Sequence, residues 1–321
     1  MPDWKPTTCI KSLHKRAAVF ASIRQYFSEQ EVLEVDTAVL SQCAVSDPFI
    51  DSLEVSFRGY PEAEAETCYL QTSPEYAMKR LLAAGSGSIY QLGKVFRNGE
   101  EGRFHNPEFT MLEWYRLGLD DNALMDDVER LVQLVLDIGP IRRCTYNDIF
   151  KEKLGLDLQK SSTAQLAEAM HKHVEIDMSL DDRDAWLNLL MSHLIEPMLK
   201  DESVFITDYP ASQSALARIK EGEDGELVAA RFELFVGGME LANGYHELTD
   251  SQEQQRRLSA DQQTRKLLKL PQRPLEQRLV AALASGLPDC AGVALGVDRL
   301  VMLALNASHI EEVIPFTFRN A

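Results

Sequence analysis

The most informative stretch of the sequence runs from Phe96 to Tyr115 and reads FRNGEEGRFHNPEFTMLEWY. Its two ends are typical of strands, and the polar residues 99–107 between them predict a connecting loop. The strand period of two places Glu113 and Tyr115 on one face, so a carboxylate and a phenol are expected side by side. A hairpin would bring Arg97 over the same sheet, and its planar donors match a phosphate or a carboxylate. The alternative is an edge strand with a solvated Glu113.

A second informative stretch, residues 231–247, reads RFELFVGGMELANGYHE. If Gly237-Gly238 forms a two-residue hairpin turn, Phe235 pairs with Glu240, and Glu233 becomes the diagonal neighbour of Glu240 on the same face. Two converging carboxylates are unfavourable unless a cation lies between them, and hard divalent ions prefer such oxygens. The alternative is a pair of solvated glutamates on an exposed hairpin.

The third stretch, residues 292–299, reads GVALGVDR and predicts a strand of small residues that runs into a helix. Glycine allows a ligand to approach the backbone closely, and a helix N-terminus favours anions. Arg299 adds a permanent positive charge at that point. An ordinary helix with Asp298 in its first turn would also explain the pattern.

The composition is that of an ordinary globular protein, with 45% hydrophobic and 26% charged residues over 321 positions. The 33 basic and 50 acidic residues leave a formal charge of −17, which opposes general binding to a phosphate backbone. The five cysteines form no CxxC pair, and the sequence contains neither a signal peptide nor an apolar run of membrane-spanning length. We therefore predict a cytoplasmic protein with reduced thiols.

The order of the predicted elements favours an α+β fold, in which an antiparallel β-sheet is flanked by helices. We predict a single catalytic domain over residues 1–321, with a mostly helical insertion at about residues 138–200. One further strand is predicted over Ala215–Ile219. The sequence has no GxxxxGK[ST] and no GxGxxG that opens a helix after a strand, which argues against the usual phosphate-binding folds.

Together these stretches resemble the signature of class II aminoacyl-tRNA synthetases, most closely the lysyl branch. Residues 96–98 with 105–113 are similar to motif 2, residues 292–300 to motif 3, and residues 35–40 stand in the place of motif 1. Residues 72–81 and 233–250 are similar to the lysine-pocket and metal segments of lysyl enzymes. The resemblance covers nearly the whole chain and implies the catalytic domain of that class, acting as a homodimer.

The region before motif 1 differs from that of a lysyl-tRNA synthetase. Such an enzyme carries an N-terminal OB-fold domain that reads the anticodon, whereas here a helix is predicted from about residue 12, so we expect no anticodon recognition. This shorter form resembles the elongation factor P lysine ligases, which join (R)-β-lysine to a lysine side chain of a tRNA-shaped protein. The resemblance implies activation of the diamino acid with ATP and Mg²⁺ as its adenylate, and then transfer to elongation factor P.

The resemblance also implies roles for individual residues. Arg97 and Arg299 would be catalytic. Arg97 would hold the substrate carboxylate and the α-phosphate, and Arg299 would flank the adenine opposite Phe109. The residues implied for ATP binding are Arg97, Asn98, Gly99, Arg103, His105, Asn106, Phe109, Glu240, Leu241, Gly296 and Arg299. The residues implied for the diamino-acid pocket are Ser73, Pro74, Glu75, Glu113, Tyr115, Asn243, Glu247 and Ala294. The residues implied for Mg²⁺ are Glu233 and Glu240.

Three positions depart from the family pattern. Gly99 stands where motif 2 usually has Glu, so backbone groups or the neighbouring Glu100 would replace a side-chain contact to ATP. The expectation of a homodimer rests on motif 1, and in that motif Ala38 replaces the usual proline. Ala294 replaces a glycine of motif 3, and its methyl group would narrow the floor of the pocket. We hypothesise that this methyl group disfavours an α-ammonium and favours the β-isomer.

Two other functions remain open at this point. One is a stand-alone lysine-activating enzyme that acylates tRNA, which the charge of −17 opposes. The other is a catalytically inactive paralogue that serves as a regulatory subunit, which the presence of Arg97, Glu233, Glu240 and Arg299 opposes.

Overall fold

The structure is a computed structural model, and it describes residues 4–60, 64–174, 182–223 and 225–321. The strands are β1 (Leu33–Glu34), β2 (Leu40–Ser41), β3 (Glu54–Phe57), β4 (Glu66–Leu70), β5 (Ile89–Phe96), β6 (Glu108–Leu117), β7 (Arg142–Thr145), β8 (Ser203–Pro210), β9 (Ile219–Glu221), β10 (Leu227–Val236), β11 (Met239–His246) and β12 (Cys290–Gly296). The helices are α1 (Ile10–Glu29), α2 (Glu75–Ala83), α3 (Asp121–Val135), α4 (Tyr146–Leu154), α5 (Thr163–His171), α6 (Arg183–Leu190), α7 (Glu196–Met198), α8 (Ser251–Leu267), α9 (Gln277–Gly286) and α10 (Val297–Leu305).

The chain divides into two compact units, the first of which comprises residues 1–119, 130–137 and 248–321. Its strands β1, β5, β6 and β12 are consecutive neighbours of the main sheet in this order, with β1 parallel to β5 and the other pairs antiparallel. The register aligns Gln91, Glu113 and Ala294 in one row across β5, β6 and β12. These three side chains therefore share one face of the sheet, because directly opposed residues point the same way.

Helices cover the main sheet of the first unit through apolar side chains. In α1, Val19, Ile23 and Phe27 recur at helical spacing and are buried, and the Phe27 ring stacks on Tyr90 of β5 at 4.3 Å between centroids. Helices α2 and α9 pack against β5, β6 and β12 through a second apolar cluster that includes Met78. A separate three-stranded antiparallel sheet has the order β2-β4-β3.

The second unit comprises residues 120–129 and 138–247 and contains strands β7 to β11. The strands β11, β10 and β8 are consecutive antiparallel neighbours, β7 is parallel to β8, and β9 pairs with β10. Its core is formed by aromatic and aliphatic side chains of α4, α5, α6 and the strands, including Trp186 and Phe150. Helix α4 begins at a Thr145 side chain that caps Asp148 N, and it ends at Gly155 in the left-handed conformation.

The predicted α+β class is confirmed, because helices flank strands whose pairs are mostly antiparallel. The turn at Gly237-Gly238 is also confirmed, and both glycines have the positive φ that a type I′ hairpin turn requires. The strand predicted over Ala215–Ile219 is wrong for its first four residues, since Ala215 has a φ of 46° and the strand begins only at Ile219. The sequence analysis missed the small β2-β4-β3 sheet.

The predicted single domain with an insertion at 138–200 stays a prediction. The described residues of that stretch are one short strand, β7, followed by helices. Residues 175–181 of it lie outside the described residues. Among the helices that the structure describes, none combines the length and the hydropathy that crossing a bilayer requires.

Candidate active site

The first group of site residues centres on Glu113, in the middle of β6. Its side chain is buried, with 2% of its surface exposed. One carboxylate oxygen accepts a hydrogen bond from the Tyr115 hydroxyl and the other from the Ser73 hydroxyl, each at 2.6 Å. Burial and the nearby negative charge of Glu75 raise the pKa of Glu113 to about 7. The predicted neighbourhood of carboxylate and phenol is confirmed, and the solvated alternative is excluded.

A second carboxylate lies beside the first, at the start of α2. Ser73 connects the two, because its hydroxyl accepts from Glu75 N at 3.0 Å while it donates to Glu113. Pro74 stands at the helix N-cap position, where its missing N–H costs no hydrogen bond. The Lys79 ammonium, fully buried, donates to Glu75 at 2.6 Å from one turn further along α2. These two carboxylates and one ammonium carry a net negative charge when both acids are ionised.

The sheet places two further residues beside Glu113. Ala294 on β12 lies directly opposite Glu113, and Gln91 lies opposite it on the other side. The Gln91 side-chain oxygen accepts from Thr37 N at 2.9 Å. Ser73 and Glu75 also line a cavity of about 270 Å³. The methyl group of Ala294 therefore lies on the same face of the sheet as the buried carboxylate, and its effect on the choice of isomer stays a prediction.

The second group joins motif 2 to motif 3 around His105. The Arg299 guanidinium donates to His105 Nε2 at 2.7 Å, so the neutral ring carries its proton on Nδ1. Burial lowers the pKa of His105, and the positive charges of Arg299 and Arg97 lower it further. Both arginines thus act on the same imidazole. The Arg97 guanidinium also lies 5.2 Å from the Phe109 ring centroid, and Arg97 Nε is buried with no hydrogen-bond partner among the described residues.

The loop between β5 and β6 is held by several direct contacts. Asn98 donates from its backbone to Asp51 O at 2.8 Å and from its side chain to the Asp51 carboxylate at 2.9 Å. Gly99 has a φ of 79°, which residues with a Cβ rarely adopt. Arg103 Nε donates to Ser308 O at 2.8 Å. The stem of Arg299 lies against Gly296, whose added Cβ would be 3.5 Å from it.

The second unit holds a further polar cluster, on β10 and β11. Glu233 accepts hydrogen bonds from the Tyr209 hydroxyl at 2.6 Å, from Arg231 at 2.5 Å and from the Asn243 side-chain nitrogen at 3.0 Å. Burial and the negative charge of Glu233 raise the pKa of Tyr209 well above its ordinary value. Asn243 Oδ1 is buried and has no hydrogen-bond partner among the described residues, so the cluster retains one unsatisfied acceptor.

The hairpin register is confirmed at its tip and differs further along. Phe235 pairs with Glu240 as predicted, but a bulge between Leu234 and Phe235 leaves Leu241 without an opposed residue. Glu233 consequently lies opposite Asn243, which is the basis of the hydrogen bond between them. Leu241 and Glu247 are both buried on or next to β11.

The predicted magnesium site requires two carboxylates with room for a cation. The Glu233 carboxylate is already neutralised by Arg231 and accepts two further hydrogen bonds. This arrangement does not fit a divalent ion held by Glu233 and Glu240 alone, so that site stays a prediction and no step below passes through it. No three or more His, Cys, Asp and Glu side chains are arranged as a metal site in the part of the chain that the structure describes.

Four residues that organise these groups escaped the sequence analysis. Lys79 stands four residues after Glu75 in a helix, and Arg231 stands two residues before Glu233 in a strand. Each spacing places the two side chains on one face, so the sequence contained a signal for both contacts. Tyr209 and Asp51 carried none, since their contacts depend on long-range pairing.

Comparison with known proteins shows which family the chain resembles. The pattern described as tRNA synthetases class II (D, K and N) matches residues 3–320. An elongation factor P–(R)-β-lysine ligase of Haemophilus ducreyi is 47% identical over 99% of this chain and 97% of its own. Proteins of the same name are 47% identical in Vibrio cholerae, over 99% of both chains, and 49% identical in Yersinia enterocolitica, over 98% of this chain and 97% of the relative.

Proposed function

The chain belongs to the class II tRNA synthetase family (D, K and N), and from that premise we propose that it is an ATP-dependent ligase. Its proposed reaction activates (R)-β-lysine as the adenylate and transfers it to a lysine side chain of elongation factor P. The three relatives above, each similar over nearly its full length, carry the name of such a ligase, which supports this acceptor.

The observation that carries the proposal is the buried Glu113 beside Glu75. A diamino acid has two ammonium groups, and removing either from water is costly unless an acidic partner receives it. Glu113 is already oriented by Tyr115 and Ser73, so an ammonium gains a fixed partner. Ionised Glu113 is disfavoured in the empty pocket, and a bound cation would remove that penalty.

Asn243 and Glu247, which belong to the second unit, are the remaining residues proposed to bind the amino acid. The amide nitrogen of Asn243 is occupied by Glu233, which leaves its buried oxygen as an acceptor for an ammonium group. Glu247 would add a second buried carboxylate. Acidic and acceptor groups of this kind favour a cationic substrate over a neutral amino acid.

The arginines would bind the nucleotide. Arg97, with an unsatisfied Nε, would hold the substrate carboxylate and the α-phosphate, and Arg299 would flank the adenine. Asn98, Gly99, Arg103, His105, Asn106, Phe109, Glu240, Leu241 and Gly296 are proposed as the remaining ATP-binding residues. Because Arg299 donates to it, the imidazole of His105 stays neutral and offers Nδ1–H as a donor.

The proposed chemistry has two steps. The carboxylate of β-lysine attacks the α-phosphorus of ATP and pyrophosphate leaves, while Arg97 stabilises the charge that develops on the phosphoryl oxygens. The neutral amine of the acceptor lysine then attacks the carbonyl carbon of the adenylate, AMP leaves, and the amine loses a proton. No general base is assigned to this step, because positioning against a reactive anhydride supplies much of the rate. ATP would arrive with Mg²⁺.

Exchange of pyrophosphate into ATP tests the first step. We expect exchange that depends on (R)-β-lysine and that falls sharply in Glu113→Gln, whereas Glu108→Gln, an exposed change on the same strand, leaves it intact. Exchange independent of any diamino acid, or none at all, would contradict the proposal. Parallel assays with elongation factor P and with tRNA as the acceptor then distinguish the ligase from the tRNA-acylating alternative. Any exchange of pyrophosphate into ATP excludes the inactive paralogue. The homodimer and the cytoplasmic location stay predictions.

A further inference from the structure

The segment Ser308–Asn320 lies along the loop of residues 99–107. Ile310 N donates to Arg103 O at 2.9 Å, and Arg103 Nε donates back to Ser308 O at 2.8 Å. One residue of the loop is therefore bonded through both its backbone and its side chain. Reciprocal bonds of this kind fix a loop more firmly than a single contact does.

The same segment also fixes Asn106. Phe318 N donates to Asn106 Oδ1 at 2.9 Å, while Asn106 Nδ2 donates to Glu108 O at 2.6 Å. The segment thus engages the oxygen of this amide and Glu108 engages its nitrogen, and the two bonds together determine which way the amide group faces. One hydrogen on Nδ2 has no acceptor among the described residues, and it is the group that the amide can offer to a ligand.

The segment is itself attached to the body of the first unit. Thr7 N donates to Pro315 O at 2.9 Å, and the Asn320 side chain donates to Lys5 O at 3.0 Å. Arg319 donates two hydrogen bonds to the carboxylate of Glu101 on the loop, at 2.6 and 2.7 Å. Arg319 is 74% exposed, so this ion pair contributes little by itself, and the backbone contacts carry the attachment.

We propose that residues 308–320 form a clasp that positions the loop 99–107, and Asn106 in particular, for ATP. The N–H of Phe318 is the positioning group, since it sets the orientation of the Asn106 amide. This proposal rests on the proposed function in one respect, namely that the loop binds ATP. It adds a role for residues outside the three motifs.

Phe318 allows a matched pair of variants. It is the second residue of a turn closed by the hydrogen bond from Asn320 N to Thr317 O, a position that proline favours. Phe318→Pro therefore removes the N–H while the turn is preserved, and Phe318→Ala keeps the N–H while the exposed ring is removed. Because no side chain of residues 316–321 is buried, neither change disturbs the core.

The dissociation constant of ATP and hydrogen exchange in the loop 99–107 are measured for both variants. We expect Phe318→Pro to weaken ATP binding about fivefold and to speed exchange of the loop amides, while Phe318→Ala matches the wild type. The KM for the amino acid stays unchanged in both, which a general loss of structure would not allow.

Faster hydrogen exchange of the loop amides in Phe318→Pro with an unchanged dissociation constant for ATP would overturn the proposal. Equal ATP affinity and equal hydrogen exchange in the two variants would also overturn it. A wild-type protein that binds no ATP would instead refute the proposed function. In that case the hydrogen-exchange data still decide whether the segment holds the loop 99–107.

Discussion

Replacing Glu113 by Gln isolates the energetic consequence of burying an acid in the pocket. The side chain keeps its shape and one oxygen, and the hydroxyls of Ser73 and Tyr115 can rotate to accept from the new amide group. The variant cannot ionise. Its stability relative to the wild type therefore reports the cost of ionised Glu113 in the empty pocket.

The size and sign of this cost follow from the raised pKa. The pKa of Glu113 is about 7 in the folded protein, against an ordinary value of 4.5. The acid is therefore protonated in both states well below pH 4.5, and the free energy of unfolding falls as the pH rises from 4.5 to 7. Each unit of pKa difference corresponds to about 1.4 kcal/mol, so the full loss is about 3 kcal/mol above pH 7. The Gln variant does not suffer this loss.

Urea unfolding at pH 4.5 and pH 8 measures the difference. We expect Glu113→Gln to gain up to about 3 kcal/mol relative to the wild type on going from pH 4.5 to pH 8. Glu108→Gln, which changes an exposed acid on the same strand, should show no such gain. A stability difference between Glu113→Gln and the wild type that is equal at both pH values would refute the reasoning.

Three further predictions concern the surroundings of Glu113 and, separately, the polar cluster of the second unit. Lys79→Met removes the positive charge that lowers the pKa of Glu113, so the acidic limb of the pH profile for amino-acid activation should move to higher pH, whereas Lys79→Arg should keep it. Ala294→Gly should reduce the preference for β- over α-lysine in pyrophosphate exchange, and an unchanged ratio would end that hypothesis. Arg231→Met leaves a buried carboxylate on Glu233 without its cation and should lower stability by about 3 kcal/mol in urea unfolding, unlike the double variant with Glu233→Gln.

The motifs predicted the site where its chemistry is local in sequence. Alternation along β6 correctly put Glu113 and Tyr115 on one face, and the Gly237-Gly238 turn correctly set the pairing at the hairpin tip. Both rest on a period or a turn type that a few neighbouring residues determine.

What the sequence did not predict depends on contacts between distant segments. The bulge beside Phe235 pairs Glu233 with Asn243, and no turn rule gives that register. The pKa of Glu113 depends on burial, which no pattern of charges reveals. The bond from Phe318 to Asn106 joins positions 212 residues apart, beyond any local rule.

Mass spectrometry of elongation factor P after incubation with this protein, ATP and (R)-β-lysine tests the proposed ligase activity most directly. The account predicts that one lysine side chain gains the mass of a single β-lysyl group, that ATP is required, and that Glu113→Gln abolishes the gain. The account would be contradicted if elongation factor P stayed unmodified in a preparation that still exchanges pyrophosphate into ATP when (R)-β-lysine is present.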